Sequence, residues 1–175
     1  MSQLKAISAL FAATVLAGAC ANPAATSVPP NLMPTTGERP AMVVSAKGVQ
    51  IYECRAKAGS GDVEWVFVAP EADLFDVRGR PIGRHGAGPF WEHIDGSGVK
   101  ASVKERFDAP VEGAIPWLLL AGTKPYGVHG RLTNVTSIQR VNTTGGIAPA
   151  DGCDATKVGS PARVAYTADY VFFVR

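Results

Sequence analysis

Through most of its length the chain alternates apolar and polar side chains with the period of two that marks a β-strand. Val49-Gln-Ile-Tyr-Glu-Cys54 sets Val49 and Ile51 on one face against Gln50, Tyr52 and Cys54 on the other. Val63-Glu-Trp-Val-Phe-Val68 groups Val63, Trp65 and Phe67, and Val99-Lys-Ala-Ser-Val-Lys104 turns Val99, Ala101 and Val103 inward while Lys100, Ser102 and Lys104 meet water. Ile115-Pro-Trp-Leu-Leu-Leu120 is an unbroken apolar run, fit for a strand covered on both faces, with Pro116 tolerable near its start. Residues 132–141 are rich in β-branched types, and Tyr166, Ala168, Tyr170, Phe172 and Val174 share one face of the final stretch. Turn residues separate these pieces at 59–62, 78–81, 95–98 and 144–146. Beyond the N-terminal leader, no window of about eleven residues has a helical period. The pattern predicts an all-β, single-domain antiparallel β-sandwich or barrel of roughly eight to ten short strands. Trp65 and Trp117, inside apolar alternations, are expected in its core.

The N-terminus follows another rule. Lys5 precedes the apolar run Ala6-Ile-Ser-Ala-Leu-Phe-Ala-Ala-Thr-Val-Leu16, and small residues lead to Cys20. A basic start, an apolar segment too short for a bilayer and a small-residue cleavage site describe a signal peptide over residues 1–19. Leu16-Ala-Gly-Ala-Cys20 also resembles the lipobox of bacterial lipoproteins, in which the Cys becomes the lipid-bearing first residue. Ordinary cleavage after Ala19 or Ala21 is the alternative. The expected location is the bacterial outer membrane or periplasm as a lipoprotein, or the exterior as a secreted protein. Membrane contact then runs through the lipid anchor only. Residues 20–45 are rich in Ala, Pro, Thr and Ser, with prolines at 23, 29, 30, 34 and 40, and read as a disordered tether. Residues 46–175 form the β-rich domain.

The chain has 3 Cys, an odd number for an oxidising compartment. Lipidation of Cys20 leaves Cys54 and Cys153 as a pair for a disulfide; two buried free thiols are the alternative. Removing Lys5 with the leader leaves 16 basic against 15 acidic residues, with no Lys/Arg run. That balance gives no electrostatic footprint for nucleic acid.

A succession of motifs carries a resemblance. Gly48-Val-Gln-Ile-Tyr-Glu-Cys54, Trp65, Ala69-Pro-Glu-Ala-Asp-Leu74 and Gly83-Arg-His-Gly-Ala-Gly-Pro-Phe-Trp91 lead into Asp95-Gly-Ser97. Ile115-Pro-Trp-Leu-Leu-Leu120, residues 138–149, Cys153 and Tyr166-Thr-Ala-Asp-Tyr-Val-Phe172 complete it. This order is similar to the bacterial and fungal family called domain of unknown function 3455 and covers about residues 48–173. Phe90 departs from the family pattern, where a small polar residue stands between Pro and Trp. The resemblance implies an exported β-rich domain and carries no established reaction.

Candidate chemistry concentrates in Arg84-His-Gly-Ala-Gly-Pro-Phe-Trp-Glu-His-Ile-Asp-Gly-Ser-Gly98. His85, Trp91, Glu92, His93 and Asp95 form the candidate ligand site. His85-Gly-Ala-Gly88 resembles an esterase oxyanion segment, but the Gly-x-Ser-x-Gly elbow that such an enzyme needs is missing. A zinc site needs about three converging N/O ligands. His85 and His93 are separated by Gly86, Gly88 and Pro89, so their spacing does not place them on one face, and no metal or cofactor is assigned. Asp95-Gly-Ser is also a turn sequence, in which Asp caps its own backbone. Trp91, Tyr126 and Trp117 offer aromatic faces for a groove that would take a small molecule or sugar. The reading is an exported binding or structural module of the cell envelope. The alternative is a small secreted enzyme, a metal-assisted hydrolase using His85, Glu92, His93 and Asp95.

Overall fold

The computed structural model describes residues 27–175. The leader at 1–19 and the lipidation position Cys20 lie outside the described residues. Within them, eight antiparallel strands run β1 (Arg39–Ala56), β2 (Val63–Phe75), β3 (Pro81–Gly86), β4 (Phe90–His93), β5 (Ser97–Phe107), β6 (Trp117–Gly127), β7 (Ser137–Gly145) and β8 (Pro161–Val174). Each pairs with the next, and β1 pairs with β8 to close a barrel. The all-β class is as the alternation predicts. Three strands are long, with 18 residues in β1, 14 in β8 and 13 in β2.

Inward-facing residues follow the period of two. Val44, Ala46, Gln50, Tyr52 and Cys54 of β1 are buried, so the polar-looking face of the 49–54 stretch is the inner one. Tyr166, Ala168, Tyr170 and Phe172 of β8 face them from the neighbouring strand. Leu132 and Val135, in the loop between β6 and β7, plug one end of the barrel, here called the upper end. Trp117 is buried as expected, whereas Trp65 is only half-buried. Trp65 lies near the lower end of β2, and its Nε1 donates to the Asp151 carbonyl at 3.0 Å.

The folded part begins earlier than the tether reading of 20–45 placed it. Residues 30–32 form a 3-10 turn whose Leu32 is fully buried, and β1 starts at Arg39. Leu32 packs outside the barrel against Trp117, Leu119 and Val141, and Gln139 Nε2 donates to its carbonyl at 2.6 Å. This is why the apolar run of β6 is covered on both faces: Leu120 points into the barrel core and Leu119 toward Leu32. Proline-rich composition suggested a chain unable to bury apolar surface, but one leucine on an apolar outer face suffices to dock it.

At the lower end, Cys54 and Cys153 are joined in a disulfide, as the cysteine count suggested. The bond ties the long β7–β8 loop to the end of β1 across a sequence separation of 99. A loop of that length gives an upper bound of about 4.7 kcal/mol from unfolded-state entropy. Among the described residues no helix is long and apolar enough to cross a membrane.

Two stability outcomes follow. Leu32→Ala should cost about 2–5 kcal/mol in urea denaturation if the docked segment belongs to the cooperative unit, because it empties a filled apolar site. Cys54→Ser with Cys153→Ser should lower stability by about 2–4 kcal/mol in the same assay.

Candidate functional site

The barrel wall is uneven. β3 and β4 have only 6 and 4 residues, against 13 in β2 and 11 in β5. β3 pairs with β2 only along residues 72–75, and β4 pairs with β5 only along residues 98–100. Below the tip of the β3–β4 hairpin, residues 63–70 of β2 and 102–107 of β5 therefore have no strand between them, and a notch opens in the wall. The Gly-rich stretch builds its roof. Gly88 turns the chain at φ +100°, and the Pro89 carbonyl accepts a bond from the Ala101 amide at 3.3 Å.

Alternation along the short hairpin then sorts the candidate residues. His85 and Trp91 are paired across β3 and β4 and point inward, 4% and 1% exposed. Their rings stack at 4.4 Å, and the Tyr170 ring meets both edge-on, at 5.1 and 5.4 Å. His85 Nδ1 lies 2.6 Å from the Phe90 carbonyl oxygen. Only a protonated Nδ1 can donate there, so Nε2 carries the lone pair. Burial, aided by the charge of Arg140 and opposed by the Phe90 bond, holds the His85 pKa down to about 4.

Glu92 lies on the opposite face from Trp91. It pairs with Arg84 Nε at 2.6 Å and accepts from the Tyr126 hydroxyl at 3.2 Å. Arg84, Glu92, Gly98 and Tyr126 lie in register across four strands. Gly98 leaves room there, since a Cβ would overlap the Tyr126 ring that crosses it to reach Glu92. Burial, the Glu92 charge and their hydrogen bond push the Tyr126 phenol up to about 12.

His93 and Asp95 close the upper turn. Asp95 accepts from the Ser97 amide and hydroxyl at 2.9 and 2.6 Å and from the Arg131 amide at 2.9 Å. The Ser97 hydroxyl and the two amides hold its carboxyl well below the usual carboxylate range. Its chemistry is that of a turn, anchoring the loop that carries Leu132. His93 Nδ1 lies within 3.2 Å of the Asp95 backbone nitrogen and belongs to the same turn. The structure thus brings His85 and Trp91 together and sends Glu92 outside and His93 and Asp95 to the upper rim. Among the described residues, no three His, Cys, Asp or Glu side chains gather to hold a metal. Of the other aromatic candidates, Tyr126 is on the outer surface and Trp117 lies beneath Leu32.

The notch leads to a cavity of about 190 Å³ lined by Phe67, Val103, His85, Trp91, Leu118, Leu120, Arg140 and Tyr170, among others. A lower hollow of about 440 Å³ shares Phe67, Val103, Leu118 and Arg140 with it and adds Gln50 and Tyr52. Val103 faces inward in step with Val99 and Ala101, and Phe67 does so opposite the buried Tyr52, past the register shift between β1 and β2. They are 55% and 50% exposed because the wall beside them ends. Inside, Trp91 Nε1 and Gln50 Nε2 are buried without a hydrogen-bond partner, and the Tyr166 and Tyr170 hydroxyls have only each other and Arg140 beside them. Each such orphan costs about 1–3 kcal/mol. Burial pushes both phenols up, so they stay protonated. Another hollow, about 590 Å³, is an outer groove lined by Lys47, Glu71, Arg84 and Arg163, among others, where Arg163 and Glu71 already pair at 2.9 Å.

The family whose description is protein of unknown function (DUF3455) matches residues 34–174. The chain belongs to this family. No curated protein matches it. The match begins within the stretch read as tether, in agreement with the early start of β1. Phe90, the departure from the DUF3455 pattern, turns its ring over Gly86 and away from Trp91, where a Cβ on that glycine would lie 2.6 Å from the ring. Arg140, Tyr170, Gln50, Phe67 and Val103 were not singled out as ligand-site residues by the sequence. Arg140 carried a signal, being a charge two residues from Ile138 in a β-branched stretch, but Gln139 and Val141 alternate equally well on the other face.

The His85 shift has a pH consequence. In the unfolded chain the imidazole takes its proton near the ordinary value of 6.5, before the folded one does at about 4. The stability it contributes is present above 6.5 and is lost as pH falls toward 4, by about 3 kcal/mol at the acid end. Urea denaturation at pH 7 and pH 4 should show this loss, and His85→Phe, which keeps a ring against Trp91, should flatten it.

Proposed function

We propose that the protein is an exported binding module that admits a small, largely apolar ligand through the notch between β2 and β5. The observation that carries this reading is the opening itself: inward-facing apolar side chains left exposed at the mouth of a cavity with orphaned polar atoms. A barrel of eight strands has an interior just wide enough to be filled by side chains or to hold one small ligand. Here the upper end is filled by Leu132 and Val135, and the lower side is hollow. A hydrolytic reading has less support, since among the described residues no base, nucleophile and orienting group meet around the cavity. The Cys54–Cys153 bond is consistent with an oxidising compartment, and the basic leader and Cys20 supply the route and anchor.

The neutral dye phenylnaphthylamine tests the pocket. Its fluorescence should rise on mixing with the wild-type protein. Val103→Trp, which narrows the mouth, should abolish most of that rise with its thermal melt retained; equal enhancement by both proteins counts against the notch. The anchor has a separate test. In a Gram-negative host, Cys20→Ala should move the protein from the membrane pellet to the soluble fraction, whereas a soluble wild type would point to ordinary cleavage.

A further inference from the structure

Arg140 is the one charged side chain that lines both the notch cavity and the lower hollow beneath it. β7 directs it inward, between Leu118 of β6 and Tyr170 of β8 in register. Its Nε and Nη2 donate to the Pro116 carbonyl at 3.1 and 2.8 Å. A guanidinium has five N–H donors, so this contact leaves most of them unused. Among the described residues Arg140 has no carboxylate partner, and neither cavity lining includes an Asp or Glu. A half-buried cation without a counter-ion is expensive in an apolar wall. Its field is felt by His85, Tyr52, Tyr166 and Tyr170, which all face the same interior.

The neighbouring polar atoms have the same bias. Trp91 Nε1 is a donor only, and it and Gln50 Nε2 have protons to give and no acceptor. The Tyr170 hydroxyl lies beside Tyr166 and Arg140, and the His85 Nε2 lone pair is the acceptor on this wall. The site has an excess of donors around a positive charge, and its other walls are Phe67, Leu118, Leu120 and Val103. We infer that the occupant is an anionic amphiphile, a carboxylate on a compact apolar body, with its carboxylate on Arg140 and Tyr170 and its body along Phe67, Leu118 and Val103. A carboxylate matches the planar fork of a guanidinium and completes the missing ion pair. A cationic ligand meets Arg140 with the wrong sign. A sugar brings hydroxyl donors that no carboxylate in the lining accepts. This inference rests on the binding-module reading and adds the charge and shape of the ligand.

Three probes of equal chain length separate the possibilities: octanoate, octanol and octyltrimethylammonium, titrated calorimetrically into the mature wild-type protein and into Arg140→Gln. Octanoate should bind the wild type at least about tenfold more tightly than octanol, the size expected for a hydrogen-bonded ion pair, and octyltrimethylammonium most weakly. Arg140→Gln should erase the preference for octanoate over octanol; circular dichroism and a thermal melt establish that the variant is folded. The wild-type ranking needs no variant, so it stands as a test even if Arg140→Gln unfolds. If octanol or octyltrimethylammonium binds as tightly as octanoate, or if octanoate fails where phenylnaphthylamine binds, the anionic assignment is overturned and the pocket survives. If neither the dye nor any of the three binds, the binding-module reading falls with it.

Discussion

A β-strand exposes a row of N–H and C=O groups on each side, and closing a sheet into a barrel is the way to pair them all. In this protein the ring closes through all eight strands, but one stretch of its wall is short. The β3–β4 hairpin is too short to follow β2 and β5 to their lower ends, so two long strands part around an opening. Every feature of the candidate site follows from that difference in length. It exposes Phe67 and Val103, gives access to the interior and places the Gly-rich turn as a roof rather than as a catalytic loop.

The interior behind the opening is not packed like the rest of the core. Close packing and full hydrogen bonding are the usual conditions of a protein interior. The upper half meets them, with Leu132, Val135, Val99 and Phe172 filling the barrel and Asp95 and Ser97 tying down the loop above. The lower half holds Trp91 with an orphaned indole N–H and, among the described residues, an arginine that meets a backbone carbonyl and no carboxylate. The rest of the framework offsets that cost, through the β1–β8 seam, the Cys54–Cys153 bond and the Leu32 segment bound outside β6 and β7. Rigid walls around under-satisfied donors are the arrangement that lets a ligand supply what the chain lacks.

Much of the framework was legible residue by residue. The alternation at 166–174 put Tyr166, Ala168, Tyr170, Phe172 and Val174 on one face, and the first four of them are buried in the barrel. The apolar run at 115–120 read as doubly covered, and its β6 part is, though what covers the outer face is a segment read as tether. The candidate site was legible only in part. His85 and Trp91 share a register position and an inward direction; Glu92, one residue on, must point the other way. Asp95 behaved as the turn residue its Gly-Ser neighbours implied. Trp65 misled because an alternating strand near the barrel's lower end continues its pattern past the packed core.

By itself the sequence determined the period of the strands, the positions of the turns and the family, because each depends on local chemistry or a short ordered pattern. It offered Cys54 and Cys153 as a pair, which the fold brought together. Tertiary structure decided which face of each strand is the inner one and where the wall stops. An alternation has two faces, and only closure of the ring selects between them. Val103 looks the same in sequence as Val99, yet one lies under β4 and the other lines a doorway. Arg140 likewise becomes a cation facing a cavity only when β6 and β8 close around it.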